Sequence, residues 1–353
     1  MSPLIPANTR DHAPRLQKPS PWFAVLSGVV TTSFIFTYAL GAVAYNAPAS
    51  KHSSTLLLVQ SLSAEDYFRQ AFNKQQSGDN RGAIADYDQA IRLRPNYADA
   101  YYNRGLSKAA IGDDQGAITD FTQVLQLQPN DAEAYYNRGN SKSDLGNKQG
   151  AIEDYTEAIR LRPNYAAAFN NRGNAKADLG DNRAAINDFD QAIRINPNYA
   201  LAYYNRGTTK AAMGDRRGAI ADYDQAIRIQ PNYPDAYLNR GAAKSALGDK
   251  RGAIADYDQA IRQRPDYALA YYNRGNAKDS LGDKRGAIAD YDQAIRLQPD
   301  YANAYYNRGL TKADIGDRRG AIADLRVAAR FYQQQGNTEW YNRAMDAINK
   351  LSR

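Results

Sequence analysis

Apolar residues between positions 98 and 129 recur with the three-to-four residue spacing of two amphipathic helices. These positions are Tyr101, Gly105 and Ala109 in the first helix and Ala117, Ile118, Phe121, Val124 and Leu125 in the second. Between the two runs stands the pair Gly112-Asp113. Glycine readily takes the left-handed conformation that ends a helix, and aspartate can cap the helix that follows. The pattern therefore predicts a helical hairpin.

The hairpin is one unit of a long series, because prolines recur at a spacing of 34 residues. They are Pro95, Pro129, Pro163, Pro197, Pro231, Pro265 and Pro299. Each would end the second helix of its unit, since proline lacks an amide hydrogen and disfavours helical geometry in the preceding residue. A unit of this length cannot bury its own apolar face and must stack on its neighbours. The chain is therefore predicted to be a solenoid that presents surface rather than a single catalytic pocket.

The unit resembles the tetratricopeptide repeat. Small residues recur at its eighth and twentieth positions, aromatic residues at its fourth and twenty-fourth, and proline at its thirty-second. Eight units, residues 64–335, follow one another as 64–97, 98–131, 132–165, 166–199, 200–233, 234–267, 268–301 and 302–335. The first carries Arg69 and Ala71 where later units carry asparagine and glycine, and the eighth has Gln333 in place of proline. The resemblance implies an all-α fold, a right-handed superhelix of antiparallel helix pairs, with residues 336–353 as a capping helix.

Charge and composition argue against an enzyme or a nucleic-acid-binding protein. Residues 1–63 carry +3 of the net charge of +7, so the repeats hold only a small excess of interleaved basic residues. There is no cysteine, and the two histidines, His12 and His52, lie outside the repeats. No phosphate-binding glycine loop or nucleophile-elbow motif occurs. We expect no catalytic residues, no metal site and no cofactor.

The N-terminal region predicts a membrane segment. Residues 22–45 contain no charge over 24 residues, long enough to cross a bilayer. Arg10, Arg15 and Lys18 precede the segment, which favours a cytoplasmic tail (1–21), a transmembrane anchor (22–45), a linker (46–63) and repeats on the extracytoplasmic side, periplasmic or lumenal. The alternative is a signal peptide cleaved near 42–44 or 47–49, which would leave a secreted protein. Ser63 and Asp66 fit a capping box that opens the first repeat.

The resemblance also implies where a partner would bind, since first helices of tetratricopeptide repeats line the concave groove. Groove positions include the fifth and sixth of each unit. The sixth is asparagine in Asn103, Asn137, Asn171, Asn205, Asn239, Asn273 and Asn307, and the fifth is tyrosine in Tyr102, Tyr136, Tyr204, Tyr272 and Tyr306. An amide can both donate to and accept from an extended peptide backbone, and tyrosine suits recognition. The alternative is that the asparagines bond the backbone of the neighbouring unit and the tyrosines pack in the core.

A second recurring set predicts ion pairs. Arginine at the seventh position and aspartate at the twenty-third would face each other across each hairpin as bidentate pairs. The pairs include Arg104, Arg138, Arg172 and Arg206 with Asp120, Asp154, Asp188 and Asp222. Lysine follows each arginine by four residues, and an anion-binding track of these lysines is the alternative interpretation.

These observations predict a membrane-anchored, non-enzymatic scaffold whose groove binds peptide segments of other proteins. The carboxylate clamp of some chaperone-binding relatives is not supported, because only its asparagine is present. Two alternatives stay open. One is a structural assembly factor of a membrane or secretion complex that acts through its convex face or self-associates, and the other is a carbohydrate-binding module.

Overall fold

A computed structural model describes residues 62–353, which are arranged in two compact units, residues 62–145 and residues 146–353. The predicted tail, transmembrane segment and all but the last two linker residues lie outside the described part of the chain. Within residues 62–353, no helix combines the length and the apolar character needed to cross a membrane.

The N-terminal unit contains five helices and the C-terminal unit twelve, with no strand in either described part. The first unit is built from α1 (Ala64–Gln76), α2 (Asn80–Leu93), α3 (Ala98–Ala110), α4 (Asp114–Leu127) and α5 (Ala132–Asp144). The second is built from α6 (Lys148–Leu161), α7 (Ala166–Asp178), α8 (Asn182–Ile195), α9 (Ala200–Ala212), α10 (Arg216–Ile229), α11 (Pro234–Ala246), α12 (Lys250–Gln263), α13 (Ala268–Ser280), α14 (Lys284–Leu297), α15 (Ala302–Asp314), α16 (Arg318–Gln334) and α17 (Thr338–Ser352). The first helix of every pair begins at the residue predicted to start the repeat.

The connection between the two helices of a hairpin contains the predicted glycine and the capping residue that follows it. In the fifth repeat Gly214 takes a φ of +88°, which an L side chain rarely adopts. The Asp215 carboxylate then accepts a hydrogen bond from the Gly218 amide at 2.9 Å and so caps α10. Both helices of the pair therefore have sequence-encoded ends, and the chain reverses within three residues, 213–215.

Packing within a pair depends on a small residue facing an aromatic ring. A Cβ placed on Gly207 would lie 3.0 Å from Cε1 of Tyr223, which is fully buried on the facing helix α10. Tyr223 packs with Tyr204 and with the buried alanines Ala219 and Ala226. The core therefore consists of aromatic rings and small residues at fixed repeat positions.

The end of the C-terminal unit departs from the repeat as the sequence predicts. Since Gln333 replaces the proline, α16 runs for 17 residues instead of the 14 found in α14. The last helix, α17, buries Ala344 and Ile348 against the preceding pair. Trp340 packs edge-on against Tyr306, with ring centroids 5.4 Å apart. The predicted capping helix therefore covers the apolar face that the eighth repeat would otherwise expose.

Candidate functional site

The sixth-position asparagines lie mostly inside the two units. Asn103, Asn137, Asn205, Asn239 and Asn273 are at most 3% exposed, whereas Asn171 and Asn307 are half-buried. A side chain with so little exposure cannot contact a partner unless the repeats separate. Such burial is expected of the alternative considered from the sequence, in which the asparagines bond the backbone of the neighbouring repeat instead of a partner.

Their hydrogen bonds show what these amides do. Nδ2 of Asn137 donates to the hydroxyl of Tyr102 at 2.9 Å, and Nδ2 of Asn239 donates to the hydroxyl of Tyr204 at 3.0 Å. In the fourth repeat, where the fifth position is Asn170, its Oδ1 accepts from Asn205 instead, at 3.0 Å. Each of these bonds joins the first helices of two consecutive repeats, and both helices belong to the same compact unit. The acceptor is thus a side chain of the preceding repeat, and not its backbone as the alternative interpretation of the sequence expected.

The fifth-position tyrosines complete these bonds from within the core. Tyr102, Tyr136, Tyr204 and Tyr272 are buried, and Tyr306 is half-buried. Burial raises the pKa of Tyr272, with hydrogen bonds from Asn276 and Asn307 acting in the opposite direction. A phenol that stays protonated can accept from the amide while remaining uncharged in the core.

One repeat lacks the tyrosine, and its neighbour shows the consequence. Leu238 occupies the fifth position of the sixth repeat, 35 residues before Asn273, which is the same separation as in the bonded pairs. Both Nδ2 and Oδ1 of Asn273 are buried without a hydrogen-bond partner within the described residues. A buried amide in this state costs stability, because it has lost its bonds to water.

Ion pairs with the predicted fork geometry form across the hairpins that begin at residues 98, 166, 200, 234, 268 and 302. Nε and Nη2 of Arg104 bond the two carboxylate oxygens of Asp120 at 2.9 and 2.6 Å, and Lys108 bonds the same carboxylate at 2.9 Å. Arg172 with Asp188 and Arg206 with Asp222 repeat this arrangement in the C-terminal unit. The carboxylates are buried and the arginines partly so, which makes these pairs elements of the fold.

Two of the seventh-position arginines also contact residues other than their predicted partners. Arg138 donates to Oγ1 of Thr122 at 3.3 Å, and its pairing with Asp154 stays a prediction. Arg104 also bonds Asp88, on the second helix of the preceding repeat, at 2.6 Å. This second carboxylate was not predicted from the sequence, although aspartate recurs at the twenty-fifth position in most repeats.

Hydrogen bonding keeps the bridging arginines charged. Burial lowers the pKa of Arg206, but hydrogen bonds to Asp222 and Asp190 outweigh that effect and raise the pKa above its ordinary value. The guanidinium thus stays charged while it bridges the aspartates of two consecutive repeats.

An open cavity of about 770 Å³ lies among the helices of the C-terminal unit. Its walls come mainly from α11, α13 and α15, with contributions from α9, α10, α12, α16 and α17. The lining residues are Ala211, Arg216, Ala242, Ala243, Ser245, Ala246, Lys250, Tyr272, Asn276, Ser280, Asn303, Tyr306, Asn307, Tyr332, Gln335, Asn337 and Trp340. Of the predicted site residues, only Tyr272, Tyr306 and Asn307 belong to this set.

The amides in the cavity wall are held by defined hydrogen bonds. Nδ2 of Asn307 donates to the Tyr272 hydroxyl at 3.1 Å and to Oδ1 of Asn276 at 2.8 Å, which uses both of its hydrogens. Oδ1 of Asn303 accepts from the Tyr332 hydroxyl at 2.6 Å. Within the described residues, Oδ1 of Asn307 and Nδ2 of Asn303 make no hydrogen bond. The two asparagines of α15 therefore offer one free acceptor and one free donor, four residues apart.

Several lining residues could not be found by following the repeat positions alone. Trp340 and Asn337 come from the capping helix and the connection before it, which the repeat pattern does not cover. Arg216 and Lys250 are the first residues of α10 and α12 and were not singled out from the sequence. Small residues such as Ala246 and Ser280 at the thirteenth position leave room for the cavity, and that pattern is visible in the sequence.

The described repeats agree with family models over most of their length. A model described as "TPR repeat" matches residues 75–112, 107–146, 173–214, 212–248, 246–282 and 280–316, and one described as "Tetratricopeptide repeat" matches residues 132–165. A search of curated proteins found no match.

Solved structures resemble this one. A tetratricopeptide repeat protein from Parabacteroides merdae is 21% identical, with a TM-score of 0.55, over 70% of this chain and 98% of its own. A crystal structure of MamA is 31% identical over 46% of this chain and 96% of its own, with a TM-score of 0.44. YrrB, described as a TPR protein with an unusual peptide-binding site, is 24% identical over 53% of this chain and 97% of its own, with a TM-score of 0.47. The first of these supports the repeat fold.

Proposed function

Because the chain belongs to the tetratricopeptide repeat family, we propose that it is a non-enzymatic scaffold that binds an extended segment of a partner protein. The binding place is the cavity of the C-terminal unit, here called the α15 cavity after the helix that carries its unpaired amide groups. Its volume falls within the range of about 300–1,000 Å³ typical of ligand sites.

The observation that carries the proposal is the pair of amide groups on α15. Four residues along a helix advance about 6 Å, and two residues along an extended chain advance about 6.6 Å. Asn303 and Asn307 therefore match the spacing at which an extended chain repeats its backbone groups on one side. The donor of Asn303 can bond a carbonyl and the acceptor of Asn307 can bond an N–H, without a demand on the peptide sequence.

Aromatic side chains supply the contact area beside these amides. Tyr306 and Trp340 both line the α15 cavity, and their mutual edge-on packing restricts both rings before a ligand arrives. Rigid amphipathic rings bind with little loss of side-chain entropy. The arrangement suits a side chain of the bound segment on one face and its backbone on the other.

A peptide selection tests this proposal. The full chain in detergent is used to select ligands from a random library of amidated peptides, and the selected peptides are then measured by fluorescence anisotropy. Replacing Asn303 and Asn307 by alanine should weaken their binding at least about tenfold, equivalent to about 1.4 kcal/mol. The matched control replaces Asn164 and Asn198, which are exposed asparagines of the C-terminal unit outside the cavity, and should bind as the parent does. Unchanged binding by the first variant, with helical content intact, would refute the assignment.

We also propose that residues 22–45 hold the chain in a membrane with the repeats on the extracytoplasmic side. The support is the sequence alone, namely the uncharged stretch and the basic residues before it. Mass and N-terminal sequence of the protein extracted from membranes test this. An intact N-terminus and a membrane-bound chain are expected, and a chain beginning near residue 45 or 50 in the soluble fraction would show cleavage and secretion instead.

A further inference from the structure

The seventeenth position of the repeats carries a cation in much of the C-terminal unit, and in two repeats that cation is neutralised. Nζ of Lys148 lies 2.9 Å from Oδ2 of Asp178. Nζ of Lys284 bonds Asp279 at 3.0 Å and Asp314 at 2.6 Å, and the hydrogen bonds to Asp314 and Asp279 raise the pKa of this lysine. In both cases one carboxylate comes from the thirteenth position of the next repeat.

Arg216 and Lys250 occupy the same position without any such carboxylate among the described residues. The thirteenth position of the next repeat is Ala246 for Arg216 and Ser280 for Lys250. Nζ of Lys250 donates only to neutral groups of Ser245, the carbonyl oxygen at 2.8 Å and Oγ at 2.9 Å. These two repeats therefore keep the cation and omit the acid that neutralises it elsewhere.

The nearest acidic neighbours in sequence are committed to helix capping. Asp215 and Asp249 directly precede the two cations, and their carboxylates accept from the amides of Gly218 and Gly252 at 2.9 and 2.8 Å. Lys284 follows an N-cap aspartate of the same kind and still recruits two more carboxylates. An N-cap aspartate next to the cation therefore does not prevent the cation from pairing with further carboxylates.

Both cations line the α15 cavity, and the residues that line it include no aspartate or glutamate. The other polar groups of the wall are amides and hydroxyls, which carry no net charge. A cleft lined by charge of one sign concentrates the oppositely charged ligand. The wall thus has neutral polar groups that can bond the backbone of a bound segment, and two cations that can pair with its acidic groups.

We infer that the segment bound in the α15 cavity is acidic, with carboxylates that pair with Arg216 and Lys250 while α15 holds its backbone. This inference rests on the proposed function and specifies the class of partner. The carboxylates could belong to aspartate and glutamate side chains or to a peptide's C-terminus, since both present the same chemistry to the two cations.

The test repeats the peptide selection with two libraries, one amidated at the C-terminus and one with a free carboxylate. Peptides selected from the amidated library should be enriched in aspartate and glutamate, and binding should weaken as salt increases. Enrichment only in the free-carboxylate library would assign the counter-charge to the terminus and would still support the inference. Selected peptides without acidic enrichment in either library would overturn it.

Two variants identify the cations responsible. Arg216→Glu with Lys250→Glu should abolish acidic enrichment and weaken the selected acidic peptides at least about tenfold, since each exposed ion pair contributes up to about fivefold. The control, Arg217→Glu with Arg251→Glu, makes the same charge change at adjacent exposed residues that do not line the cavity, and should bind as the parent does. Equal losses in both double variants would show a general charge effect and overturn the assignment.

A second design avoids dependence on reversed charges. Ala246→Asp with Ser280→Asp places carboxylates where Asp178 and Asp314 stand in the neutralised repeats. The chain already accommodates this geometry, so the fold should persist while the preference for acidic peptides disappears. A preference retained in this variant would refute the inference, as would an oligonucleotide that binds the parent more tightly than the acidic peptides do. Failure to select any peptide would instead count against the proposed function itself.

Discussion

The same substitution should have opposite effects at two equivalent positions, Asn239 and Asn273. Asn239 donates to the buried hydroxyl of Tyr204, whereas Asn273 faces a repeat in which Leu238 supplies no hydroxyl. Replacing either asparagine by leucine exchanges an amide for an apolar group of similar size. Oδ1 is buried without a hydrogen-bond partner at both sites, so the sites differ in the hydrogen bond that Nδ2 of Asn239 makes.

The magnitudes follow from the cost of an unpaired buried polar group, about 1–3 kcal/mol. Asn239→Leu removes the hydrogen bond that this amide donates to the buried Tyr204 hydroxyl, so we expect destabilisation of about 1 kcal/mol. Asn273→Leu removes two unpaired amide atoms and should be neutral or stabilising by about 1 kcal/mol. The two variants should thus differ by about 1–2 kcal/mol.

Hydrogen exchange is the suitable assay, because a long repeat array need not unfold in a single step. Exchange read by mass spectrometry on peptides from α11 and α13 gives the local free energy of opening for each variant. Faster exchange is expected in Asn239→Leu and unchanged or slower exchange in Asn273→Leu. Equal destabilisation by both would refute the reasoning, since it would show that Asn273 has a partner after all.

Other perturbations test the packing and the caps. Arg206→Met leaves the buried carboxylate of Asp222 with only a lysine partner, so thermal unfolding should show a loss of about 3 kcal/mol, and an unchanged melting temperature would contradict the ion-pair account. Gly207→Ala forces a Cβ against the Tyr223 ring and should cost about 1–3 kcal/mol in denaturant unfolding, whereas a neutral effect would show that the helices can separate. Hydrogen bonds from the Ser63 side chain and backbone lower the pKa of Asp66, so capping of α1 contributes above the ordinary carboxyl pKa of 3.8 and is lost as the pH falls below it. Exchange of the first-turn amides should therefore accelerate below that pH, relative to its intrinsic rate, and not between pH 7 and 5.

The hairpins could be predicted from the sequence because their signals are local. Gly214, Asp215 and the recurring prolines fix helix ends through backbone geometry, which depends little on the rest of the fold. The pairing of Arg206 with Asp222 was equally accessible, since the two positions recur 16 residues apart in each repeat. Both predictions needed only the contacts within one hairpin.

The location of the asparagine and tyrosine side chains could not be settled in the same way. The fifth and sixth positions lie where one first helix meets the next, and the sequence does not say how closely these helices approach. The hydrogen bond from Asn239 to Tyr204 fills that contact in the structure and buries both groups. Local periodicity therefore predicted the correct helices but not which residues remain accessible.

The α15 cavity was harder still to predict from the sequence. Its unpaired cations depend on the absence of an aspartate at the thirteenth position of two repeats. Ala246 and Ser280 occupy the repeat position at which Asp314 pairs with Lys284. Their importance becomes visible only when that ion pair is seen in the structure. Trp340 belongs to the capping helix, so no repeat position predicts its contribution.

The emission of Trp340 tests the central claim most directly. The chain contains two tryptophans, Trp22 and Trp340, so Trp22→Phe leaves a single reporter in the wall of the cavity. Titration with a selected peptide should change the Trp340 emission and saturate at the concentration at which the peptide's anisotropy saturates. A peptide that binds by anisotropy without altering that emission would place binding elsewhere and contradict the account.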